Sequence, residues 1–158
     1  MTPTAPPRHT ASSHMDTALA EARAAFDRGE VPVGAVIVAA DGEILSRAGN
    51  RTRAEHDPTA HAEVLAIRAA CRVLGSERLV GCDLYVTLEP CPMCAGAISF
   101  ARIRRLYWGA PDPKSGGVEH GPRVFAHPTC HHKPDLYPGI AEAESADLLR
   151  RFFEGLRA

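Results

Sequence analysis

The sequence of 158 residues holds only two lysines, no apolar run of membrane-spanning length, and an odd number of cysteines, five. Each shortage excludes something. A helical span needs about 20 consecutive apolar residues, and the first residues lack the apolar stretch of a secretory signal. A cytoplasmic protein without a membrane partner is therefore expected. Five cysteines cannot pair off, and a chain of 16.9 kDa buries enough surface not to need disulfides. A reducing compartment, with some thiols free or metal-bound, is the reading that follows. The formal net charge of −1, from 18 basic and 19 acidic residues, rules out a uniformly positive surface. Any polyanionic partner has to be met by a local patch, and with so few lysines by arginines. The rest is ordinary globular composition, 45% hydrophobic and 23% charged.

Residues 1–14, MTPTAPPRHTASSH, are rich in Pro, Thr, Ser and Ala without hydrophobic periodicity. They are expected to form a disordered extension before a single domain over 15–158. From Asp16, which is placed to cap, Leu19, Ala22 and Phe26 recur at helical spacing up to Gly29. The apolar run 33–40, the turn signal Asp41-Gly42 and the stretch 44–47 predict a β-hairpin. A second helix is predicted over 61–74, behind Asp57-Pro58 and ahead of Gly75. Residues 83–88 and 105–108 read as strands flanking a short helix over 92–101, the pattern of a parallel crossover. A Gly- and Pro-rich loop over 110–134 leads to a last strand around 136–140 and a helix marked by Leu148, Leu149, Phe152 and Leu156. The fold class is α/β: one mixed five-stranded sheet with helices on both faces, in three α/β/α layers.

The chemistry lies at two helix starts. Cys91-Pro-Met-Cys94 opens the short helix, where a missing proline N–H costs nothing and the helix dipole favours thiolates. Alone, this pair fits zinc, redox chemistry or coincidence. His61-Ala62-Glu63 opens the preceding helix and offers an imidazole and a carboxylate at a second N-terminus. Two thiolates and an imidazole make three ligands, one short of a closed structural tetrahedron, which leaves a position for water. Zinc lowers the pKa of such a water to about 7. Glu63, a carboxylate outside the ligand set, fits the part of proton carrier.

H-x-E followed by P-C-x-x-C is the established signature of zinc deaminases of bases. The sequence resembles the zinc-dependent cytidine and deoxycytidylate deaminase superfamily and, within it, the bacterial tRNA-specific adenosine deaminases. The resemblance runs through Val31-Pro-Val-Gly-Ala-Val36, Asn50, His56-Asp-Pro-Thr-Ala-His-Ala-Glu63, Thr87-Leu-Glu-Pro-Cys91 and Met93-Cys-Ala-Gly-Ala97. It continues with Arg102-Ile103, Gly109-Ala110, Asp112 and Lys114, and covers the chain from about residue 16 onward. It implies a cytidine-deaminase-like fold, one Zn2+ per subunit held by His61, Cys91 and Cys94, and no organic cofactor. The implied reaction is hydrolytic conversion of the wobble adenosine of a tRNA anticodon to inosine, with Glu63 protonating adenine N1 and then the departing amine. By the same resemblance Asn50 hydrogen-bonds the flipped nucleotide, the Ala62 N–H reads the base edge, and Val33 and Leu88 wall the pocket. Asp112 and Lys114 would touch neighbouring nucleotides of the anticodon stem-loop, and the protein would be a homodimer.

Other readings stand beside these. Cys71, Cys82 or Cys130 would close a structural zinc knot, although Cys71 and Cys82 read as small buried hydrophobes. Cys130-His131-His132 invites a second metal, with loop packing as the plainer account. Arg51, Arg53, Arg102, Arg104 and Arg105 would together supply a phosphate-binding surface. Phe152 and Phe153 cannot both face the core, so one is free to stack on a base or a partner. A free-base or nucleoside deaminase acting on guanine, cytosine or cytidine shares the zinc chemistry. A zinc-stabilised nucleic-acid-binding module without turnover is the alternative outside enzymology.

Overall fold

In the computed structural model, which describes residues 8–157, ten buried positions join the first helix, three strands and the last helix in one cluster. Ala11, Met15, Ala18, Leu19 and Ala22 form one buried stripe along α1 (Arg8–Asp27). The helix therefore starts well ahead of Asp16, which lies inside it rather than at its cap. The disordered extension expected over 1–14 is corrected for residues 8–14, and residues 1–7 lie outside the described residues. Small alanines at helical spacing carry too little hydrophobicity to announce themselves, yet they let the helix lie close to the sheet. At Gly34 that approach is extreme: a Cβ there would stand 1.9 Å from the Ala18 carbonyl oxygen.

Strands β1 (Gly34–Val38) and β2 (Ile44–Gly49) form the hairpin, and β3 (Asp83–Leu88), β4 (Arg105–Ala110) and β5 (Asp135–Tyr137) complete one sheet. The spatial order is β2-β1-β3-β4-β5. β1 runs antiparallel to β2 and β3, whereas β3, β4 and β5 are mutually parallel. The last strand is shorter than the expected 136–140, because Pro138 and Gly139, at φ 79°, turn the chain out of the sheet.

Alternation along the strands divides the core in two. Ala35, Ile37, Leu84, Val86, Leu106 and Trp108 face α2 (Ala62–Leu74) and α3 (Pro92–Ala101). Val36, Val38, Tyr85 and Tyr107 face α1 and α4 (Glu142–Arg157). Helices on both faces of a mixed five-stranded sheet are the three-layer arrangement expected. No helix among the described residues is long and apolar enough to cross a membrane.

Strand direction decides where the ends collect. β2, antiparallel to β1, is parallel to β3, so Gly49, Leu88 and Ala110 end three strands on one edge, and Gly34 starts β1 there. α2 and α3 both begin beyond that edge, with their N-termini side by side. Ligand sites in such folds lie outside the carboxyl ends of parallel strands.

Candidate metal centre

His61 and Cys91 are the N-cap residues of α2 and α3, both with extended backbones, and neither side chain is spent on a capping hydrogen bond. Both are free for other work. Cys94 sits in the first turn of α3, fully buried, and Pro92 occupies the opening position as its chemistry predicts. His61 Nδ1 lies 3.6 Å from Cys91 Sγ and 3.4 Å from Cys94 Sγ. Zinc bonds of about 2.3 Å to sulfur and 2.0–2.1 Å to nitrogen, held at the tetrahedral angle, require a sulfur-to-nitrogen separation of about 3.5 Å. The donor set fits the ion on both edges. Among the described residues, this trio is the one group of three or more metal-ligating side chains that converges.

Protonation supports the same reading. The Cys94 thiol, donating to Cys91, lowers the Cys91 pKa to about 4, with His61 helping and burial opposing. Cys94 is pushed up by the Cys91 thiolate, by burial and by the charge on Glu63. His61 is raised chiefly by its contact with Cys91. Cys91 is thus a ready thiolate, while Cys94 and His61 hold protons that a divalent cation would displace.

Glu63 lies in the first turn of α2, 4% exposed, and stays outside the ligand trio. Burial pushes its carboxyl up to about 7, against its own backbone N–H and His61, which pull it down. A carboxyl poised near neutrality can both accept and return a proton.

A cavity of about 210 Å³ opens onto the centre, lined by Val33, Asn50, His61, Glu63, Leu88, Cys91 and Asp112 together with Val31, Thr52, Glu89 and Ser115. Lys114 lies in an adjoining groove that shares Val31, Leu88, Asp112 and Ser115 with the cavity and continues to Leu149, Arg150 and Phe153. Most of the positions anticipated from the sequence thus line this cavity, with Lys114 in the groove beside it. One contact differs: the Ala62 N–H, expected to read the base edge, donates instead to Asn50 Oδ1 at 2.7 Å. That bond fixes the Asn50 amide, whose remaining donor is its NH2 group.

The arginines divide. Arg104 forms a two-pronged ion pair with Asp83, both bonds 3.0 Å, and the buried Arg105 lies 3.6 Å from the same carboxylate. Asp83 and Arg105 begin their strands, at the edge opposite the pocket, so these two arginines belong to the fold rather than to a phosphate surface. Arg51 and Arg53 remain at the pocket end, in the segment that follows Asn50, and Arg53 shares a hollow with Arg28 and His56. The other cysteines stay apart. Cys82 is buried, Cys71 half-buried, and Cys130 Sγ lies 3.4 Å from Ser99 Oγ and 3.2 Å from the His132 carbonyl oxygen. His132 is engaged with the Ile103 carbonyl oxygen at 2.6 Å, so the 130–132 cluster is a loop anchor. Phe152 is buried and Phe153 is 43% exposed in the groove.

One residue of the pocket wall not anticipated from the sequence is Glu89. It is 1% exposed and accepts hydrogen bonds from the backbone N–H groups of Asp112, Val118, Glu119 and His120. An acidic residue at the exit of an otherwise apolar strand was the available signal.

Open three-ligand geometry with a neighbouring buried glutamate is the arrangement of a metal centre that can activate water. Residues 8–110 match the model of the cytidine and deoxycytidylate deaminase zinc-binding region, and the chain belongs to that family. It is 64% identical over 143 residues to the tRNA-specific adenosine deaminase of Agrobacterium fabrum, covering 90% of this chain and 93% of that protein. A solved structure from studies of A-to-I editing by tRNA:A34 deaminases at the wobble position matches with TM-score 0.86 and 64% identity, over 87% of this chain and 99% of the other. The guanine deaminase of Bacillus subtilis is 44% identical with TM-score 0.60, over 63% of each chain.

Proposed function

We propose that the chain is a zinc-dependent tRNA adenosine deaminase that converts the wobble adenosine of an anticodon to inosine, taking up water and releasing ammonia. The observation that carries the chemistry is a three-ligand centre with no fourth His, Cys, Asp or Glu joining it among the described residues, and a buried carboxyl beside it. The substrate follows the 64% identical relative, which is a tRNA-specific adenosine deaminase.

His61, Cys91 and Cys94 would hold the zinc, which when bound would make an acidified water available in the pocket. Glu63 would carry one proton of the water to adenine N1 and the second, taken from the hydroxyl left on C6, to the departing amine, so that both water protons are placed and ammonia leaves. Asn50, oriented by the Ala62 N–H, presents its NH2 to the flipped base. Val33 and Leu88 close the apolar sides of the pocket. Asp112 and Lys114 stand where nucleotides beside the target pass, and the exposed ring of Phe153 in the same groove offers a stacking surface. Arg51 and Arg53 at the pocket end serve the phosphates.

The working unit is a homodimer. Val73, Leu74, Val80, Met93 and Phe100 are exposed apolar side chains on or beside α2 and α3, and Phe100 is 80% exposed. Its place is the cytoplasm, where five cysteines without a disulfide between them remain reduced and tRNA is met.

The deciding assay offers zinc-loaded protein an anticodon stem-loop RNA with adenosine at the wobble position, alongside free guanine, cytosine and cytidine. Inosine in the RNA with matching ammonia is the expected result. Deamination of guanine with the RNA untouched would move the assignment to the activity named for the 44% identical relative.

A further inference from the structure

Glu89 lies in the wall of the catalytic cavity, yet both of its oxygens are spent on a neighbouring loop. Oε1 accepts the Asp112 N–H at 3.1 Å and faces His120 Nδ1 at 2.7 Å. Oε2 accepts the N–H groups of Val118, Glu119 and His120 at 3.1–3.2 Å. Five donors on one carboxylate exceed its roughly four lone-pair sites, so no acceptor capacity is left for substrate or metal.

The loop is shaped to reach this group. A Cβ on Gly116 would stand 2.4 Å from Glu89 Oε2 and 2.5 Å from the Asp112 carbonyl oxygen, and one on Gly117 would stand 2.6 Å from Pro92 N. Gly117 also donates to the Pro90 carbonyl oxygen at 2.8 Å, one residue before a zinc ligand. Asp112, pinned at its own N–H, accepts from Lys114 N–H at 3.2 Å and from Ser115 N–H at 3.0 Å. The chain of contacts runs from Glu89 to Asp112, and from Asp112 to the two residues that border the groove.

We propose that Glu89 is a positioning residue whose buried carboxylate latches residues 112–120 into the pocket wall that receives the nucleotides beside the reacting adenosine. This rests on the RNA substrate assigned above. Glu89 stands outside the metal trio, its oxygens are taken up by the loop, and it acts through Asp112, Lys114 and Ser115. A glutamine has the same shape but half the acceptor capacity. Whichever way its amide is turned, an NH2 group meets N–H donors, and the latch opens.

The test compares wild type, Glu89→Gln and Gly116→Ala as zinc-loaded, full-length proteins. Three quantities are read: bound zinc, hydrogen exchange at the amides of residues 112 and 118–120, and steady-state deamination of the wobble-adenosine stem-loop. Both variants are expected to keep one zinc per chain and to exchange those amides at least about tenfold faster. KM should rise about tenfold with kcat within about threefold of wild type, the signature of lost binding rather than lost chemistry. An unchanged KM, a fall confined to kcat, or loss of zinc from folded Glu89→Gln would overturn the proposal. Should Glu89→Gln fail to fold, Gly116→Ala decides by the same criteria. A wild-type chain inactive on the RNA would sink the functional assignment, and the exchange rates would still decide whether the latch exists.

Discussion

One side of the catalytic pocket is made of helix and the other of loop. His61, Cys91 and Cys94 occupy the first residues of α2 and α3, where backbone hydrogen bonding fixes each side chain within a single turn. Asp112, Ser115 and Lys114 belong to the segment between β4 and β5, whose only regular element is a short 3₁₀ turn at Val124–Ala126. Its shape depends on a carboxylate 23 to 31 residues earlier in the chain. Chemistry is thus anchored locally and substrate fit is anchored at a distance. The two can be damaged separately.

The largest effect is expected on the helical side. Cys91→Ala should lose zinc, measured by metal analysis of the purified protein, and deamination should fall to background; full zinc and turnover would break the ligand assignment. Glu63→Gln should leave the metal in place and lower kcat by about 10²–10⁴-fold, since it removes the proton carrier alone. Zinc loss in that variant would make Glu63 a ligand.

This division also explains what could be read from the sequence. The spacing of Cys91 and Cys94, and the position of His61 after Asp57-Pro58, are local signals, and helix N-termini convert them directly into a ligand set. The hairpin, the crossover and both helix starts were legible for the same reason. Glu89 was not, because its partners lie 23 to 31 residues on, in the loop after the neighbouring strand β4, and no periodicity links them. Arg104 and Arg105 misled for the converse reason: their charge suggested RNA, while strand register places Arg105 opposite Asp83 at the far edge. In α1 the signal was present but faint, since alanine at Ala11, Ala18 and Ala22 marks a buried stripe only when a sheet lies against it.

A smaller effect belongs to the loop side and appears in acid. Burial opposes ionisation of Glu89, but the N–H groups of Asp112, His120 and Glu119 and the His120 ring outweigh it, so its pKa is held below the ordinary 4.5. A depressed carboxyl contributes stability that is complete above the unfolded value and drains away as pH falls through the folded one. The difference in urea midpoint between wild type and Glu89→Gln should therefore be constant above about pH 5 and shrink below about 4.5. A difference that grew on acidification would contradict the latch.

The smallest effect is expected away from both sides. Cys71→Ala, in the last turn of α2 and away from the pocket, should cost no more than about 1 kcal/mol, a Tm shift of about 2–4 °C, with zinc and activity retained. Equal zinc loss in Cys71→Ala and Cys91→Ala would erase the distinction between structural and ligating thiols.

The most direct measurement is X-ray absorption at the zinc edge of the loaded protein. The proposed centre requires two sulfur ligands at about 2.3 Å, one imidazole nitrogen and one light atom that exchanges with solvent. A shell of three sulfurs, or of four protein donors with no exchangeable position, would contradict an open catalytic centre built on the ends of two helices.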